Sequence, residues 1–102
     1  MSKPRYRWWG YIKAIIRNYP SVEDRSVQGI LLKEKEAVIC AIKQTEHMES
    51  GTDRMKVIGM VFFQQTHTLE GAALMIPCGY ETAKRWVQQF IKLVARNMGL
   101  LD

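Results

Sequence analysis

The chain is poor in the residues that build metal or redox centres. Cys40 and Cys78 are its only cysteines, far apart and neither in a Cys-x-x-Cys pair. A zinc site needs more Cys or His at close ligand spacing, so no metal is expected, and both thiols read as buried side chains in a reducing compartment. Histidine is equally scarce. Glu46, His47 and Glu49 stand together but not in the His-Glu-x-x-His order of a zinc helix, and they read as a solvated helix end. No Ser-His-Asp or Cys-His grouping and no Gly-rich phosphate loop stands out. An enzyme is therefore not expected, and neither is a cofactor or a small-molecule substrate.

Long apolar runs are missing too. The longest clean one is "VIGMVFF", far too short to span a bilayer. The start, "MSKPRYRWWGYIK", is basic but lacks the apolar run of a signal peptide. These features predict a soluble, cytoplasmic protein without a membrane partner. Acid is also in deficit: 15 Lys and Arg against 10 Asp and Glu leave a formal charge of +5, which favours a polyanionic partner. With 102 residues and 47% hydrophobic content, the chain is expected to fold as one domain with a real core.

What is present is helical period. Residues 1–6 form a basic arm, for which disorder or a DNA contact is the expectation. The stretch "RWWGYIKAIIRNY" then repeats Trp8, Tyr11, Ile12, Ile15, Ile16 and Tyr19 on one helical face, and Pro20 ends it. Trp8 and Trp9 read as anchors of the core. Residues 20–32 read as an irregular connection. A second helix is expected from Lys33 to Ser50, with Val38, Ala41, Ile42 and Met48 inward, Gly51 as its stop, and Thr52 or Asp53 as the cap of the next helix. That third helix is expected from Asp53 to Gln65, with Met55, Ile58, Val61 and Phe62 buried and Val57 and Phe63 widening the stripe. A fourth, capped by Thr68, should span Leu69 to Ile76. A fifth should run from Tyr80 to Met98 on Ala83, Trp86, Val87, Phe90, Ile91, Val94 and Met98, and stop at Gly99. The expected fold class is all-α with five helices, residues 7–65 forming the N-terminal helices and 66–99 a helix-turn-helix.

The last two helices carry the functional expectation. A helix-turn-helix needs a short first helix, small residues where the helices approach, a tight turn, and a second helix with one apolar and one polar face. Gly71, Ala72 and Ala73 supply the small residues, and Pro77-Cys78-Gly79 the turn. Tyr80, Glu81, Lys84, Arg85 and Gln88 are expected opposite Ala83, Trp86 and Val87. Arg and Lys donate to guanine, Gln pairs with adenine, and Glu accepts from the cytosine amino group in the major groove. Thr66 and Thr68 precede the fourth helix, where hydroxyls suit phosphates. His67 beside them reads as structural or phosphate-facing.

The stretch "THTLEGAALMIPCGYETAKRWVQQFIKLVARNMGL" resembles the C-terminal helix-turn-helix of phage transcriptional regulators of the RinA and ArpU type, which are similar to region 4 of bacterial sigma factors. The resemblance rests on Thr68, Leu69, Glu70, Ala73 and Trp86. Pro77 departs from the Gly or polar residue usual in the turn, and Gly79 replaces the usual Ser cap. The whole chain also looks like small prophage proteins of Gram-positive bacteria. The resemblance implies a transcriptional regulator of a bacterial host cell that binds double-stranded DNA, with Tyr80, Glu81, Thr82, Lys84 and Arg85 facing the DNA. A homodimer or an RNA polymerase contact is expected to add affinity, since one short recognition helix rarely suffices. Two alternatives stay open: a DNA-binding packaging component akin to a small terminase subunit, and a module that binds RNA polymerase or a repressor without touching DNA.

Overall fold

A computed structural model describes residues 7–19, 30–76 and 78–100. The basic arm, Pro20, most of the 20–32 connection and Pro77 lie outside the described residues. Among those described there are five α-helices and no strand. None of these helices is long and apolar enough to cross a membrane.

Helix α1 (Trp9–Asn18) buries Ile12, Ile15 and Ile16, one edge of its threefold-and-fourfold pattern. Tyr11, expected on that face, is exposed instead. Its hydroxyl reaches sideways and donates to Glu34 Oε2 at 2.5 Å on helix α2 (Ile30–Glu46). Helix α2 starts earlier than the expected Lys33 and stops at Glu46 rather than Ser50. Among its described side chains Ala37, Val38 and Ala41 are the buried apolar ones. Thr45 is buried with them, and its hydroxyl has no hydrogen-bond partner among the described residues.

Gly51 proves to be a start rather than a stop. It is the first residue of helix α3 (Gly51–Ile58), and Ser50, in the left-handed region at φ +59°, is its cap residue in place of Thr52 or Asp53. A Cβ on Gly51 would lie 2.5 Å from the Glu46 carbonyl oxygen and 2.7 Å from that of Thr45. The glycine thus lets the start of α3 sit directly on the end of α2. Helix α3 does not run regularly to Gln65. It passes into one π-helical turn, Gly59–Phe63, closed by the Gln64 N–H donating to the Gly59 carbonyl at 2.7 Å. The wider turn leaves Phe62 buried but only half-buries Val61 and Phe63.

Helix α4 (Leu69–Met75) is short, and helix α5 (Tyr80–Asn97) is the longest among the described residues. Helix α5 buries Ala83, Trp86, Val87, Phe90, Ile91, Val94 and Ala95 along its length, the stripe expected with Ala95 added. It packs against α1, α2, α3 and α4, so it is the central element of the core. Its end is closed by a Schellman pair: the Gly99 N–H donates to the Arg96 carbonyl at 3.0 Å and that of Leu100 to Ala95 at 2.9 Å. Tyr19, Phe63 and Phe90 form an aromatic chain, with centroids 5.6 and 6.4 Å apart, that joins α1 and the π turn to α5.

Candidate nucleic-acid interface

The approach to α4 is built from short polar contacts. Thr66 is exposed, with its hydroxyl 2.9 Å from His67 Nδ1. The backbone N–H groups of Thr66 and His67 both donate to the Met60 carbonyl, which ties this segment to the π turn. Thr68 is the cap residue of α4, and its Oγ1 accepts from the Gly71 N–H at 3.1 Å. That bond uses the hydroxyl as acceptor and leaves its proton available to an outside acceptor. His67 is half-buried, with its Cβ and ring against Gly71.

Helices α4 and α5 pack together, and both carry buried small side chains. Ala72 and Ala73 on α4 and Ala83 on α5 are all buried. Between the helices Ile76 is buried and extended, and the Cys78 N–H folds back onto the Ile76 carbonyl at 2.6 Å. Gly79 then takes φ +79° and ψ 153°, a conformation a side chain would strongly disfavour. It accepts the first helical bond, from Ala83, at 3.1 Å. No side chain caps the start of α5, so its first-turn N–H groups keep their positive end of the helix dipole.

The polar residues of α5 divide into an outward face and two flanks. Successive residues rotate by about 100° around a helix. With Ala83, Trp86, Val87 and Phe90 inward, Glu81, Arg85 and Gln88 point away from the core, and all three are exposed. Tyr80 and Lys84 fall beside Val87 and Ile91 rather than opposite the core; Tyr80 is exposed and Lys84 half-buried. Thr82 borders Trp86 on the other flank and is also half-buried. Thus three of the expected residues form one face, and Tyr80, Lys84 and Thr82 edge it. Thr66 and Thr68 belong to the start of α4. Among the described residues neither Lys84 nor Arg85 forms an ion pair.

Arg54 on α3 locks the roll of α5. Its Nη1 donates to Gln89 Oε1 at 2.7 Å, its Nε donates to the Glu49 carbonyl at 2.9 Å, and its guanidinium carbon lies 5.6 Å from the centre of the Trp86 ring. This clamp is invisible to residue spacing, because Arg54 and Gln89 lie on different helices. Lys92 and Arg96 are absent from the sequence expectation, although a signal exists: they follow Arg85 at seven and eleven positions, which is one helical face. The apolar Leu74 and Met75, at the end of α4, are 86% and 61% exposed.

Among the described residues no group of three His, Cys, Asp or Glu could hold a metal ion. The chain matches no family model, and no curated protein or solved structure shows a significant similarity to it.

Proposed function

We propose that this chain binds double-stranded DNA through α4 and α5 used as a helix-turn-helix, and that it serves as a transcriptional regulator of the phage or prophage type. The observation that carries the proposal is the outward face of α5. Glu81, Arg85 and Gln88 stand together on a helix whose opposite side is buried along its whole length. Those residue types complement base edges in the major groove. The capped start of α4, the buried alanines of both helices and the uncapped start of α5 support the same use. The resemblance of residues 66–100 to phage regulators and to sigma factor region 4 supplies the regulatory part of the reading.

The test is a fluorescence-anisotropy titration with duplex DNA over a salt series, comparing wild type with Lys84→Ala/Arg85→Ala. Wild type should bind with a steep salt dependence, and the double variant should bind more weakly and with a shallower slope. Absence of salt-dependent binding by wild type would reject the reading.

A second reading has one observation in its favour. Leu74 and Met75 form an exposed apolar pair on the same unit, and such pairs suit protein partners better than phosphates. RNA polymerase or a repressor would then be the ligand. Binding to polymerase by a chain with no DNA affinity would establish that alternative; a ring of many subunits in light scattering would instead favour a packaging role.

A further inference from the structure

We infer that the far half of α5 makes a second, sequence-independent contact, in which Lys92 and Arg96 hold phosphates of the same duplex that Arg85 and Gln88 read. This rests on the proposed DNA binding and deepens it.

Arg85, Lys92 and Arg96 are all exposed and lie on one face of α5. The only carboxylate of α5 is Glu81, in its first turn. From Arg85 onward the face therefore holds cations and glutamines with no acid between them. An ordinary solvated helix gains from alternating Glu and Lys four residues apart, whereas Lys92 and Arg96 place two like charges at that spacing. The helix dipole alone would account for Arg96 in the last turn, but its influence fades within one turn and does not reach Lys92.

Length decides what these cations can touch. Eleven residues of helix rise about 16 Å from Arg85 to Arg96. The major groove is about 12 Å wide. If Arg85 lies over base edges and α5 crosses the groove, Arg96 lies beyond the bases and over a strand. Lys92, about 10 Å from Arg85 along the axis, reaches the groove wall.

This half of the helix is also held firmly enough to present a fixed surface. Phe90, Ile91, Val94 and Ala95 are buried. Asn97 Nδ2 donates to the Ala37 carbonyl and to Gln44 Oε1 of α2, both at 3.1 Å.

The experiment uses the full chain, with anisotropy on two unrelated mixed-sequence duplexes across a salt series. Lys92→Gln/Arg96→Gln is compared with Arg85→Gln/Gln88→Ala, and thermal melting verifies that each variant folds. The Lys92 and Arg96 pair should lower the logarithmic salt slope by about 0.9 for each phosphate lost. It should weaken both duplexes by the same factor. The Arg85 and Gln88 pair should instead change the ratio between the duplexes. Lys92→Arg/Arg96→Lys, which keeps both charges, should retain the wild-type slope. An unchanged slope in the folded Lys92 and Arg96 variant, with wild type binding normally, overturns this inference alone. Failure of wild type to bind at low salt overturns the DNA reading and this inference with it.

Discussion

At single positions, the chain is most sensitive where α2 meets α3. Gly51 has two backbone carbonyls within 2.7 Å of the place a Cβ would occupy. Backbone cannot rotate away as a side chain can, so Gly51→Ala must push the two helices apart. We expect it to destabilise the fold by about 1–3 kcal/mol, as overpacking of a tight contact does, measured by urea denaturation. Thr45, six residues earlier near the end of α2, has the opposite flaw. Its hydroxyl is buried without a partner among the described residues. Thr45→Val keeps the shape and removes the unpaired group, while helix propensity hardly changes. It should raise stability by about 1 kcal/mol. A loss in the same urea experiment would mean that the hydroxyl is satisfied after all.

At the scale of elements, α1 and α2 are joined at one polar point. The Tyr11 hydroxyl donates to Glu34, and this bond, helped by burial and by the neighbouring carboxylate charge, raises the tyrosine pKa from 10.0 to about 12. The folded state thus holds the proton more tightly than the unfolded chain. The stabilisation is fully present below about pH 10 and is lost as pH rises through about 12. Melting temperatures taken across this range should fall more steeply for wild type than for Tyr11→Phe. Parallel curves would show that the bond does not contribute. Helical period made most elements readable: Ile12, Ile15 and Ile16 in α1, and the stripe from Ala83 to Val94 in α5, are buried as their spacing requires. Periodicity says nothing of close approach. A glycine after a polar helix end is the usual mark of a stop, and only the packing of α3 onto α2 made Gly51 a start. Tyr11 has the spacing of a core residue, and its partner on α2 holds it at the edge.

For the molecule as a whole, the outward face of α5 depends on a contact made by a neighbouring helix at its flank. Arg54 spans α3 and α5, holding Gln89 and covering Trp86. Arg54→Ala should cost about 1 kcal/mol, and the combined Arg54→Ala/Gln89→Ala change should cost less than the sum of the two. Strict additivity in a double-mutant cycle would show that the two side chains are not coupled. Of the candidate site, Glu81, Arg85 and Gln88 could be assigned to one face from position alone, because a long helix with a continuous apolar stripe fixes its own opposite side. Lys84 and Thr82 could not be placed so simply: each lies on a flank, where burial depends on neighbouring helices.

The π turn at Gly59–Phe63 sets the phase of the chain beyond it. It holds one residue more than a regular helical turn would. Deleting Gly59 would take out that extra residue and let ordinary α-helical bonding continue, with the later side chains kept close to their present directions. Inserting one more residue into the same turn would instead rotate the later side chains by about 100° relative to α3. The insertion variant should therefore melt earlier and more broadly than Gly59→Ala, which meets nothing within 4 Å at the added Cβ. This part of the chain is tolerant in spelling and intolerant of a further residue.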